Sequence, residues 1–143
     1  MEPKFEFLEH VADAYVAAYG RSLYEAFQNA AFAMFELMTD TRKIEQRVKD
    51  EVTVEGWDEK ALLYNWLEQL LLKFEIEGNL YSRFEISELV RSDKGWRLKA
   101  TVFGEPFKSA KHESRVEIKA VTYHQMEIDQ KDDGYVLRFI LDL

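Results

Sequence analysis

The chain has 143 residues, with a hydrophobic content of 47%, an aromatic content of 14% and a formal net charge of −8. The length suits one domain over residues 1–143, and the apolar content argues against disorder. The acidic balance argues against direct binding to nucleic acid or to an anionic membrane, and the lack of cysteine excludes disulfides and thiolate metal sites.

Two further features of the whole chain bear on its compartment and partners. No apolar run approaches the ~20 residues of a membrane-spanning helix, and the first residues show no signal-peptide pattern. We therefore expect a cytoplasmic protein without membrane contact. The net charge favours a cationic partner surface or a metal cation, although many proteins are equally acidic for neither reason.

The first part of the chain predicts two strands and a helix. Alternating apolar residues indicate paired strands over residues 4–10 and 14–19, with a break at Ala12 and Asp13. Ser22 and Glu25 form a capping box. Apolar residues at helical spacing follow, so we expect a helix that ends near Thr39.

The rest of the chain predicts a second helix and five strands. Asp58 is the predicted N-cap of the helix, and Gly78 suits its C-terminal end. Gly104-Glu105-Pro106 is expected to end a strand sharply, with a loop over residues 107–115 behind it. The predicted strands cover residues 48–55, 80–90, 95–104, 116–128 and 135–143. Short connections favour antiparallel pairing, and we predict an α+β, two-layer domain with two helices on one face of a mostly antiparallel sheet.

Residues 117–124, Glu-Ile-Lys-Ala-Val-Thr-Tyr-His, carry side chains that a simple strand does not need. Glu117 and Lys119 fall on one face of the predicted strand, and His124 closes the other. The plain interpretation is a sheet strand with a solvated charge pair. The alternative is a functional segment that acts together with the other polar residues discussed below.

Carboxylates near both ends of the chain form a candidate metal site. Asp13 lies at a break between two strands, and Asp142 directly precedes Leu143 with its terminal carboxylate. If the last strand runs beside the first hairpin, the three groups meet and repel unless a cation or proton lies among them. Oxygen ligands favour calcium, magnesium or manganese over a structural zinc. Alternatively, Asp13 caps a turn and Asp142 is a solvated end residue.

The three histidines, His10, His112 and His124, show no spacing that would assemble a metal or proton-transfer site. Each is equally consistent with an ordinary hydrogen-bonded side chain. Glu105 presents a carboxylate at a rim or belongs to a simple turn. No phosphate-binding loop or nucleophile elbow appears, so the sequence offers no evident nucleophile with its base.

Several of these motifs together resemble the archease family, over nearly the whole chain. The matching segments, in chain order, are residues 7–13, Tyr19-Gly20, residues 26–40, residues 62–67, Gly104-Glu105, His112, residues 117–124 and Leu141-Asp142. Val11 stands where the family signature usually has threonine, which puts any hydroxyl role at that position in doubt but not the fold.

The resemblance implies an activator of an RtcB-type tRNA-splicing RNA ligase, without catalytic residues of its own. Such an activator promotes transfer of GMP from GTP to the ligase and supports repeated turnover in joining tRNA exons. The resemblance also implies a divalent metal held by Asp13, Asp142 and Leu143. Further partner-contact candidates are His10, Glu105, His112, Glu117, Lys119 and His124.

Two other classes of function remain open on the sequence. One is a small metal-dependent hydrolase that uses Asp13 and Asp142 on a bound water, which predicts a deep pocket beside the metal. The other is a chaperone-like binding module, which predicts an exposed apolar patch. A shallow, acidic tip favours the ligase activator.

Overall fold

The computed structural model describes residues 4–8 and 13–143, and this part of the chain forms two helices and eight strands. The elements are β1 (Phe5–Leu8), β2 (Asp13–Gly20), α1 (Leu23–Met38), β3 (Val48–Gly56), α2 (Glu59–Glu77), β4 (Asn79–Ser92), β5 (Gly95–Pro106), β6 (Ala120–Val121), β7 (Glu127–Lys131) and β8 (Gly134–Asp142). A short 3-10 turn covers Thr41–Lys43. His10 lies outside the described residues.

Local side-chain chemistry sets the ends of both helices. The Ser22 hydroxyl accepts a hydrogen bond from the Glu25 N–H at 3.1 Å, as the capping box predicts. Asp58 caps α2 in the same way, with its carboxylate 2.8 Å from the Ala61 nitrogen. Gly78 ends α2 at a φ of 77°, a backbone conformation that glycine adopts without steric cost. The predicted helix boundaries are confirmed.

The strands form two antiparallel sheets. The first has the order β1-β2-β8-β6, with β7 also paired to β8, and the second has the order β3-β5-β4. Helix α1 contacts β2 and β8 of the first sheet and β4 of the second, while α2 contacts β3, β5 and β6. The predicted α+β class is confirmed, and the strands form two sheets instead of the single sheet predicted.

The core lies where the helices meet the sheets. Five side chains that the helical pattern assigns to the buried faces have no solvent exposure: Phe27, Met34, Leu63, Leu67 and Leu70. Trp66 is equally buried, and its indole N–H donates to the Phe27 carbonyl at 3.0 Å. This bond joins α2 to α1 and satisfies the one polar atom of a large apolar side chain.

Strand β5 ends at Pro106, so the strand does end within Gly104-Glu105-Pro106 as predicted, but two residues beyond the expected last strand residue, Gly104. Leu80 pairs with Glu105, and Tyr81 pairs with Gly104. A Cβ at Gly104 would lie only 1.8 Å from the Leu80 carbonyl oxygen. The glycine therefore permits the close approach of β4 that carries the strand onward to Glu105.

The predicted continuous strand over residues 116–128 is wrong. Only β6 and β7 are strands in this region, and both pair with β8. Between the pairs Val121–Leu141 and Glu127–Arg138, this segment has more residues than β8, and the excess loops out as a turn. The Met126 N–H bonds to the Tyr123 carbonyl at 3.1 Å, and Gln125 has a φ of 54°. A non-glycine residue in this conformation gave no turn signal in the sequence.

Candidate functional site

The sheet places Asp13 and Asp142 directly opposite each other, at the ends of β2 and β8. Cross-strand partners of this kind have Cβ atoms ~4.5–5.5 Å apart and project from the same face of the sheet. Asp13 is half-buried, Asp142 is exposed, and Leu143 is half-buried. We call Asp13 and Asp142 the aspartate pair. Two like charges in this position repel, so the pair favours a cation or a proton beside it.

The aspartate pair suits a hard cation but supplies few ligands. Carboxylate oxygens are the donors that calcium, magnesium and manganese prefer. Among residues 4–8 and 13–143, no group of three or more His, Cys, Asp or Glu side chains is placed to hold a metal ion. Leu143 is the third ligand that the family resemblance implies. The donor set therefore fits an ion that also binds water or groups from a partner.

The segment beside the aspartate pair carries the exposed residues that are candidates for contact with a partner. Ala120 pairs with Asp142 on the side opposite Asp13, and the Lys119 N–H donates to the Asp142 carbonyl at 2.7 Å. Glu117, Lys119 and His124 are exposed. The structure thus brings the 117–124 segment next to Asp142, with its charged side chains open to solvent.

Glu105 and His112 come together in a different place, inside the protein. Their side chains are 1% and 0% exposed, and His112 Nε2 lies 3.0 Å from Glu105 Oε2. His112 Nδ1 accepts a hydrogen bond from the Lys108 N–H at 2.9 Å. Since Nδ1 is an acceptor, Nε2 carries the hydrogen and donates it to Glu105. This arrangement holds the loop over residues 107–115 against β5.

Three further groups complete what we call the Glu105 cluster: Glu45, Arg47 and Lys111 join Glu105 and His112. Lys111 Nζ lies 2.7 Å from Glu105 Oε2 and 2.5 Å from Glu45 Oε1. The Glu45 N–H donates to Glu105 Oε2 at 2.8 Å, and Arg47 Nε is 3.8 Å from Oε1. Burial raises the pKa of the Glu105 carboxyl, but the hydrogen bonds from Lys111, the Glu45 N–H and His112 outweigh it, and the pKa is lowered to about 2.

Comparison with known proteins matches this chain to the archease protein family over residues 5–143. The archease of Sulfurisphaera tokodaii is 46% identical over 98% of this chain and 99% of its own length. The archease of Pyrococcus abyssi is 43% identical over 92% of each chain.

The chain belongs to the archease family.

A solved archease-family fold agrees with this assignment. The solution structure of protein 1598 from Methanobacterium thermoautotrophicum is 44% identical, covers 98% of this chain and 99% of its own, and superimposes with a TM-score of 0.86. The family resemblance that the sequence motifs carry is confirmed. No helix in the described part of this archease-family protein is both long and apolar enough to cross a membrane.

The sequence predicts most residues of the aspartate pair and the Glu105 cluster as candidate site residues, but it does not predict how they assemble. The aspartate pair was predicted to meet, on condition that the last strand runs beside the first hairpin, and β8 does pair with β2. Glu105 and His112 were named as partner contacts, and this archease-family fold buries both. Lys111, Glu45 and Arg47 were not singled out. Glu45 lies 60 positions from Glu105 and 66 positions from Lys111 in the sequence. Isolated charged residues give no sequence signal for pairing over such a separation.

Proposed function

We propose that this archease-family protein is an activator of an RtcB-type tRNA-splicing RNA ligase, and is not itself an enzyme. It promotes transfer of GMP from GTP to the ligase and so supports repeated rounds of tRNA exon joining. It acts in the cytoplasm and meets tRNA only through the ligase. The observation that carries this proposal is the aspartate pair, at paired strand ends of an archease-family chain.

The aspartate pair and Leu143 would hold a divalent cation, calcium or else manganese or magnesium. Such an ion, when bound, neutralises negative charge on phosphate oxygens. The chain's own part is to hold two carboxylates side by side on paired strands, where their mutual repulsion favours a cation. Because the chain supplies few ligands, groups of the ligase or of GTP have room to complete the site.

The charge of the surface suits docking against a basic active site. The chain carries a formal net charge of −8, and complementary charge speeds and orients association. Glu117, Lys119 and His124 lie exposed in the segment next to Asp142 and are the candidates for direct contact. Glu105 and His112 are buried, so their part in docking is to position Lys111 and its loop. His10 stays a prediction.

The position of the aspartate pair favours an activator over a metal-dependent hydrolase. A hydrolase needs a pocket that holds its substrate beside the metal. The described structure has a cavity of about 380 Å³, and neither aspartate lines it. Asp142 is instead exposed at the end of β8, where a partner's active site has access to it.

Ligation assays with the cognate ligase test the proposal. An RNA with a 2′,3′-cyclic phosphate end and one with a 5′-hydroxyl end are joined under single-turnover and multiple-turnover conditions, with and without this protein. We expect a large stimulation under multiple turnover and a small one when the ligase is already guanylylated. Equal rates with and without the protein in both regimes would contradict the activator proposal.

A further inference from the structure

A cavity of about 380 Å³ lies between the end of α1, the second half of α2 and the loop over residues 113–118. Its floor is buried and mainly apolar, formed by Met38, Leu71, Leu80 and Ile118. Its mouth is open, because Phe107 and Val116 at the rim are 36% and 38% exposed. A cavity of this size accepts one side chain or a small apolar group.

The loop wall of the cavity is held in place before any ligand binds. The Arg115 N–H donates to the Met38 carbonyl at 2.9 Å, and Arg115 Nη1 donates to the Glu36 carbonyl at 3.0 Å. The same guanidinium makes ion pairs with the carboxylates of Glu36 and Glu113, at 2.9 and 2.6 Å. The charge of Arg115 is therefore neutralised by carboxylates of the same chain, and the cavity is largely preformed.

The remaining charge at the mouth is negative. Glu75 on α2 and Glu117 on the loop both line the cavity, and both are exposed. In the part of the chain that the structure describes, neither carboxylate takes part in an ion pair or a hydrogen bond. The wall also contains Thr39, which is 1% exposed and whose hydroxyl has no hydrogen-bond partner in the described chain. The site thus pairs an apolar interior with unneutralised carboxylates on two separate walls.

We propose that this cavity binds an apolar side chain flanked by basic residues, presented by a segment of a partner protein. The apolar group fills the space above Leu71 and Ile118 and excludes water from it. A lysine or arginine on each side of that group reaches Glu75 on one wall and Glu117 on the other. A small amine offers one cation to two carboxylates, whereas a peptide segment offers two. The proposal depends on neither the metal nor the ligase.

A titration monitored by NMR tests this site on the full chain. The probe is the blocked peptide acetyl-Lys-Phe-Lys-amide, added to ¹⁵N-labelled protein. Acetyl-Glu-Phe-Glu-amide reverses the charge, acetyl-Lys-Ser-Lys-amide removes the apolar group, and 3-phenylpropylamine represents a free amine. We expect amide shifts concentrated at residues 71–75 and 113–118 with the first peptide, and much weaker ones with the other three probes.

Matched variants separate the site from general charge attraction. The double variant Glu75→Gln, Glu117→Gln should weaken binding of the basic peptide about three- to tenfold, because two exposed ion pairs are lost. Glu51→Gln with Glu55→Gln removes the same charge from exposed positions on β3 and should leave binding unchanged. Equal losses in the two double variants, shifts outside the cavity, or equal binding of the acidic peptide would overturn the proposal. Cavity shifts as large with 3-phenylpropylamine as with the basic peptide would overturn the protein-segment assignment.

Discussion

The aspartate pair and the Glu105 cluster both gather carboxylates, but they balance the negative charge differently. In the Glu105 cluster, a buried carboxylate receives hydrogen bonds from Lys111, His112 and a backbone N–H of the same chain. In the aspartate pair, the two carboxylates are cross-strand neighbours of each other. The first arrangement is complete within the fold and stabilises it. The second places two carboxylates side by side on paired strands, which favours a cation near them.

The largest expected change in the free energy of unfolding is in the core, and it sets the scale for the two charged regions. Leu67 is fully buried on α2, so Leu67→Ala should lower the free energy of unfolding by ~2–5 kcal/mol through lost burial and a cavity. Urea denaturation measures the change. A loss below ~0.5 kcal/mol would show that this helix face contributes little to the core.

Breaking the Glu105 cluster should cost less than a core truncation but remain measurable. Glu105→Gln keeps the shape and removes the charge that Lys111 and His112 face, so we expect the free energy of unfolding to fall by ~1–3 kcal/mol. Glu51→Gln, on an exposed position of β3, is the matched control and should change it by less than ~0.5 kcal/mol. Equal stability of the two variants in urea denaturation would mean that the cluster does not stabilise the fold.

The same cluster should make stability depend on pH in a defined direction. The pKa of Glu105 is lowered from 4.5 to about 2 in the folded protein, so between these values the unfolded chain binds the extra proton. The stabilisation is present above about pH 5 and is lost as the pH falls toward 2. The stability difference between the wild type and Glu105→Gln should therefore shrink from pH 6 to pH 3, as followed by urea denaturation. A difference that stays constant over this range would contradict the lowered pKa.

Substitution in the aspartate pair should have the smallest effect on stability and a larger effect on metal binding. Asp142 is exposed, and its removal relieves repulsion from Asp13, so Asp142→Asn should leave the free energy of unfolding unchanged or raise it by up to ~1 kcal/mol. Calorimetry with calcium, manganese and magnesium should show divalent binding by the wild type and little by the variant. Unchanged binding in Asp142→Asn would remove this residue from the metal site.

How far the sequence predicts each region depends on how local its interactions are. The caps at Ser22 and Asp58 and the buried face with Leu67 follow from contacts within a few residues, and the sequence predicted them. The turn at Gln125 was missed because its left-handed backbone has no glycine or asparagine to mark it. Burial of Glu105 was missed for two reasons. The loop with Lys111 and His112 folds back onto β5, and Glu45 and Arg47 come from a distant segment. Alternation of apolar residues encodes neither contact.

The central claim, that the aspartate pair acts in guanylylation of the ligase, is tested most directly by one rate. The rate of GMP transfer from GTP to the cognate ligase is measured at saturating amounts of this protein. The wild type is compared with Asp13→Asn, Asp142→Asn and a control, Asp93→Asn. Asp93 lies in the exposed turn between β4 and β5. We predict that both variants of the aspartate pair lose the stimulation while Asp93→Asn retains it. Full stimulation by Asp13→Asn and Asp142→Asn would contradict the claim and place the active surface elsewhere.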